Sequence, residues 1–113
     1  MERDYRESKK ARIAEAENEA ALARIGSLKT ALDMFELDNG YYPKGRNGLS
    51  DLLHKPPDGK AWRGPYLDSI PKDPWNNDYI YECPGKHNPN SYDIWSPGPP
   101  GKHKPIGNWQ AAP

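Results

Sequence analysis

The rhythm of apolar and polar positions changes once along this chain, near residue 40. Before that point, a step of about 100° per residue places Ala21, Ile25, Leu28, Leu32 and Phe35 on one narrow stripe, the pattern of a helix facing a core. Strong helix formers fill the segment (Glu15, Ala16, Glu17, Ala20, Ala21, Leu22, Ala23), and Asp38-Asn39-Gly40 with Pro43 just beyond predicts where it stops. Traced towards the N-terminus, the same line runs through Glu17, Lys10, Glu7 and Arg3 and is broken only by Ala14, so the first five turns offer almost nothing to bury. At about 1.5 Å per residue the helix reaches roughly 55 Å, more than a domain this small can cover. The pattern therefore predicts a helix whose residues 1–20 protrude, attached to a globular domain spanning 21–113.

Beyond residue 40 the rhythm is that of turns and short strands. Tyr41, Tyr42, Leu49, Leu52 and Leu53 are the first apolar groups, and the segment 48–53 reads as a short helical turn laying leucines on the main helix before Pro56, Pro57 and Gly59 end it. Two alternating segments, 78–83 and 91–96, are separated by the turn-rich 84–90 and predict an antiparallel hairpin, with a third short strand in 106–109. So small a sheet needs an apolar partner, and the helix stripe is the one available. The fold class is α+β: one long N-terminal helix packed on a small antiparallel sheet, with a turn-rich C-terminal region. Trp62, Trp75, Trp95 and Trp109 are expected to carry much of the packing.

Composition sharpens the division. All thirteen prolines lie beyond residue 38. Sixteen Lys and Arg balance sixteen Asp and Glu, which removes the basic footprint of a nucleic-acid binder. No run approaches the roughly 18 apolar residues of a membrane-spanning helix. The lone Cys83 forms no internal disulfide and reads as a structural thiol at a strand end, just before Pro84. His54, His87 and His103 stand in separate loops without metal-ligand spacing and read as surface histidines. Asp73, Asp78 and Asp93 invite a paired-carboxylate reading, but Asp73-Pro74 is a turn opener and local backbone hydrogen bonds account for such residues. No nucleophile elbow or phosphate-binding glycine loop is present. No residue is singled out as catalytic, cofactor-binding or metal-binding, and the reading is a protein that is not an enzyme. The protruding helix has two readings on pattern alone, a solvated stem held by i,i+4 charge pairs or a packing surface for further helices.

A resemblance separates them. Residues 31–43, Ala-Leu-Asp-Met-Phe-Glu-Leu-Asp-Asn-Gly-Tyr-Tyr-Pro, resemble the helix end and following turn of the major pseudopilins of type II secretion systems, and more loosely pilin-like proteins in general. Asn47-Gly48-Leu49 with Leu52, Gly64-Pro65-Tyr66-Leu67, the run 70–79 containing Asp73-Pro74-Trp75, Tyr92-Asp93-Ile94-Trp95-Ser96-Pro97-Gly98 and Ile106-Gly107-Asn108-Trp109 follow in the family's order. The resemblance implies a structural subunit that self-associates into a helical filament, the pseudopilus, which drives export of folded proteins. It also implies other pseudopilins and inner-membrane secretion components as partners. In the family the helix continues upstream into a hydrophobic segment that anchors the precursor in the inner membrane, with the globular domain in the periplasm. By that resemblance the present chain lacks its anchor, and Met1 is either an added start or a native residue just beyond the cut. The charges of Arg3, Asp4, Arg6, Glu7, Lys9, Lys10, Arg12, Glu15 and Glu17, and the exposed Tyr5, would then meet neighbouring subunits.

One departure bears on cofactors. The family's C-terminal loop is rich in aspartate and binds calcium through oxygen ligands. Here the loop from Pro99 to Pro105 holds Lys102, His103 and Lys104 and no carboxylate, so the expectation is no cofactor, with the metal's bracing role taken by proline. Two other readings stay open, a type IV pilin or competence pilin-like subunit, and a helical-stem adaptor. An adaptor stem calls for heptad apolar positions before Ala21, which are missing.

Overall fold

The computed structural model describes residues 2–102 and 104–110, with side chains from Tyr5 onward. Met1, His103, residues 111–113 and the side chains of Arg3 and Asp4 lie outside the described residues, and with them the readings made of those positions. Helix α1 spans Glu2–Asn39 without a break. It ends where Gly40 enters the left-handed region at φ 84° and donates its N–H to the Glu36 carbonyl at 2.7 Å. A side chain at that φ is strained, which is why glycine serves as the stop.

The stripe read from periodicity is the buried face. Ala21, Leu28, Leu32 and Phe35 are fully enclosed and Ile25 nearly so, with Ala31 beside them. Residues 5–16 are all exposed, and Ala21 is the first residue of the helix to be buried. The molecule is accordingly long, with extents of 62 × 28 × 23 Å.

Against the stripe lies a three-stranded antiparallel sheet of β1 (Ile80–Glu82), β2 (Asp93–Ser96) and β3 (Ile106–Gly107), in that spatial order. The predicted hairpin is present with Ile80 opposite Trp95, Tyr81 opposite Ile94 and Glu82 opposite Asp93. Its strands are shorter than the alternating pattern, because turns anchored by Asp73 and Asp93 take over at their ends. β3 pairs Ile106 with Ser96 and Gly107 with Trp95. It stops at Gly107: Asn108 still donates its backbone N–H to the Ile94 carbonyl at 3.0 Å, but its side-chain amide takes the place of the carbonyl acceptor. That amide accepts from Ile94 N at 3.1 Å and donates to the Tyr92 carbonyl at 3.0 Å. The expected helical turn is a 3-10 helix over Gly48–Leu52, with Leu49 and Leu52 buried.

The tryptophans depart from expectation. All four are only half-buried, at the margin of the core. Its centre is built from leucines, isoleucines and phenolic rings: Tyr81 is the largest enclosed side chain, with Tyr79 and Tyr92 close by. The physical reason is shape and polarity. A tyrosine fills apolar space with its ring and still delivers its hydroxyl to a backbone acceptor. Tyr79 donates to the Ala21 carbonyl at 3.2 Å and Tyr81 to that of Pro43 at 2.6 Å. Burial pushes the Tyr79 phenol up to about 12 and raises Tyr81 and Tyr92 as well. Trp62 instead pins a surface loop, its indole N–H donating to the Asp51 carbonyl at 2.8 Å.

Candidate functional site

Two features stand out as carriers of function, the bare stem of α1 and the set of turns beneath the sheet from which it emerges. On the stem, Tyr5 is 70% exposed and Ile13 50%, in a segment otherwise made of charged and small residues. Where stem meets domain, a cavity of about 410 Å³ lies between Ala14, Glu17 and Asn18 of the helix and Trp75, Lys102, Lys104 and Ile106 of the domain. The face opposite the buried stripe carries Met34 and Leu37 in the open, at 53% and 81% exposure.

The turns are organised by two buried carboxylates. Asp73 Oδ1 accepts from the backbone N–H of Trp75 at 3.0 Å and of Asn77 at 2.7 Å, which shapes the turn after Asp73-Pro74. Its Oδ2 accepts from Asn77 Nδ2 and from the Ser96 hydroxyl, and Ser96 Oγ in turn accepts from Gly98 N–H at 3.0 Å. One side chain thus ties the 73–77 turn to the end of β2 and to the start of the C-terminal loop. Gly98 closes that loop at φ 89°, where an added Cβ would fall 2.2 Å from the Lys104 carbonyl oxygen, so glycine is required by both angle and space.

Asp93, 2% exposed, performs the same task for the hairpin loop. Oδ2 accepts from His87 N–H at 2.9 Å and lies 3.1 Å from His87 Nδ1; Oδ1 accepts from Asn88 N–H at 3.1 Å and Asn88 Nδ2 at 2.9 Å. An ionised carboxylate only accepts, so His87 Nδ1 carries the shared proton. Burial by itself raises the Asp93 carboxyl, but the donors of His87 and Asn88 outweigh it and hold the group below its ordinary 3.8. His87 is exposed, as read from the sequence, but it is also held: its ring lies flat on Trp109 at 4.0 Å and 9°. Nothing in the local sequence of His87 announces this, since Trp109 is far along the chain. His54 is exposed, as expected. Asp78 stays on the surface, 3.4 Å from Lys72, so the three aspartates do not converge. Cys83 is half-buried, its thiol 3.4 Å from the Ser91 carbonyl.

The depressed Asp93 carboxyl has a pH consequence. Its stabilisation is fully present above the unfolded value and is lost as pH falls through the folded one. Melting temperatures of the wild type should fall on acidification below about pH 4. Asp93→Asn should melt lower at pH 7 and fall less steeply with acid; equal slopes for the two proteins would sink the assignment.

A long helix with a half-exposed shaft, packed on a minimal antiparallel sheet and followed by a turn-rich tail, defines a pilin-like α+β protein. A sequence model described as "Type II secretion system (T2SS), protein G" matches residues 10–110, and the chain belongs to that family. Similar proteins include the type II secretion system core protein G of Pectobacterium carotovorum subsp. carotovorum, 41% identical over 83% of this chain and 64% of that protein. Those of Vibrio cholerae serotype O1 and Escherichia coli K12 are 39% and 38% identical, each over 83% of this chain, and over 69% and 68% of their own lengths. The chain thus spans about two thirds of the length of these relatives. In three dimensions it resembles the crystal structure of the major pseudopilin from the type 2 secretion system of enterohaemorrhagic Escherichia coli, with a TM-score of 0.76 and 34% identity over 88% of this chain and 91% of that one. Among the described residues no helix is long and apolar enough to cross a membrane.

Proposed function

We propose that this protein is a structural subunit of a type II secretion pseudopilus, not an enzyme: it self-assembles into a helical filament whose growth pushes folded proteins outward. The observation that carries this reading is the stem, a fully exposed run of helix on a domain of the protein G family, kept where a solitary helix gains nothing from its own fold. In this reading residues 1–20 are the protruding assembly element and 21–113 the globular domain. The whole protein carries an upstream apolar segment, sits in the inner membrane as a precursor with this domain in the periplasm, and meets other pseudopilins and inner-membrane secretion components. It does not bind nucleic acid. Deleting the gene in its source cell should abolish release of folded secreted enzymes while they accumulate in the periplasm, and re-expression should restore it. Intact secretion with loss of surface pili or of DNA uptake would favour a type IV pilin or competence subunit instead.

We infer further that the subunit works without calcium. No carboxylate follows Asp93 in the sequence, and Lys102 and Lys104 occupy the loop where hard oxygen donors are needed, so the residues present do not fit the ion. The remaining carboxylates nearby are engaged, Asp73 with Trp75, Asn77 and Ser96 and Asp93 with His87 and Asn88. The loop is braced by Pro99, Pro100 and Pro105 and by the close approach of Gly98 to Lys104. Excess chelator should leave the melting temperature unchanged; a drop of several degrees, reversed by added calcium, would refute the inference.

A further inference from the structure

The stem carries a charge order that specifies how a second copy lies against it. Nine residues of helix advance 900°, two and a half turns, so residues nine apart lie on opposite faces, about 13.5 Å apart along the axis. Arg6 and Glu15 are nine apart, as are Lys10 and Glu19, and all four are exposed. Arg6 and Lys10 lie on the side that carries the domain higher up; Glu15 and Glu19 lie on the opposite, outward side.

Resting on the filament reading above, we propose that copies pack parallel and side by side with a stagger of nine residues, the outward face of one stem against the domain-side face of the next. Glu15 and Glu19 of one copy then meet Arg6 and Lys10 of its neighbour.

A second, independent feature fits the same stagger. The neighbour's domain, which begins to cover its own helix at Ala21, falls beside residue 30 and above of the first copy. There the outward face exposes Met34 and Leu37, the large apolar groups with no use in the subunit's own fold. Just below them that face narrows to Ala23, Gly26, Ser27 and Thr30, and a Cβ on Gly26 would meet nothing of its own chain. The neighbour's loop brings Lys102 and Lys104 to this level, since it borders residues 14–18 of its own helix. The contact is heterologous, two different faces of one chain, and such contacts propagate into open filaments. Opposite charges fix its register more than they add affinity.

The test uses the full-length chain in its own cells with Cys83→Ser, and Lys10→Cys and Glu19→Cys in the same molecule. Within one helix these sites are too far apart, and face too far apart, to bridge. Mild oxidation is expected to give a ladder of covalent multimers, each copy joined to the next. Lys10→Glu should cut sheared filament at least tenfold, and adding Glu19→Lys in the same chain should restore it, with the melting temperature unchanged in both because the sites are exposed. A disulfide dimer from Arg12→Cys with Glu15→Cys and no ladder from positions 10 and 19 would mean antiparallel stems and overturn the stagger. Filaments indifferent to both charge reversals would overturn it too, while leaving the filament reading intact. Wild-type cells that form no filament at all would overturn the filament reading itself.

Discussion

Phe35→Ala should cost about 3–5 kcal/mol of unfolding free energy, the range for emptying a buried aromatic site. Phe35 is fully enclosed at the C-terminal end of the stripe, with the rings of Tyr41 and Tyr66 edge-on at 5.5 and 5.7 Å. Tyr66 is tethered elsewhere: it donates its hydroxyl to Asp38 at 2.8 Å and its backbone N–H to the Leu52 carbonyl. Tyr66 cannot readily collapse into the space, so the loss stays within that range. Because a domain this small holds only a few kcal/mol in reserve, the variant should be largely unfolded at 37 °C. Urea denaturation followed by far-ultraviolet circular dichroism reads the effect, and a loss under 1.5 kcal/mol would show that the helix–sheet contact is looser than the packing implies. Phe35→Leu, which keeps most of the volume, should recover at least half of the stability.

Asp73→Ala should cost about 3 kcal/mol, although it removes few apolar contacts. The carboxylate is 3% exposed and serves donors from three places in the chain. Deleting it leaves the Asn77 N–H and the Ser96 hydroxyl to be satisfied in a site with little water, at roughly 1–3 kcal/mol for each donor left bare. The pair Asp73→Ala and Ser96→Ala should be strongly non-additive, the double variant costing little more than Asp73→Ala alone, because both act through one network. Additive losses in a denaturation cycle would mean that the short turn and the end of β2 are held independently.

Much of this architecture is legible in the order of residues. The stripe Ala21, Ile25, Leu28, Leu32 and Phe35 was readable because a helix turns at a constant angle, so burial leaves a period in the residue order. The stop at Asn39 and Gly40 was equally local, since it depends on a backbone angle that only glycine adopts freely. The hairpin followed from alternation, and the turn roles of Asp73 and Asp93 from the habit of short carboxylates to accept from nearby backbone, whereas the register had to come from the structure. The exposed stem was read the same way, from charges standing where the stripe would continue.

What escaped is long-range. The stacking of His87 on Trp109 joins residues 22 apart in the chain, and Ser96 reaches Asp73 across 23. The tyrosine hydroxyls that anchor the sheet, Tyr79 on Ala21 and Tyr81 on Pro43, span 58 and 38 positions. No periodicity records such partners. The tryptophans depart for a related reason: size argues for burial, but which ring is enclosed depends on what distant parts of the chain pack around it, and here the phenols of Tyr79, Tyr81 and Tyr92 fill the centre while the indoles stay at its margin.

By itself, then, the order of residues determined the helix and its end, the face it buries, the bare stem, the antiparallel hairpin and the family. These rest on local angles and on a regular period along one element. Only the tertiary structure decided which side chains close the core, which carboxylate holds which turn, and at what height the domain leaves the stem. Those depend on distances between elements, set by packing the whole chain at once, and it is that height together with the charge order that turns an exposed helix into a surface with a definite register.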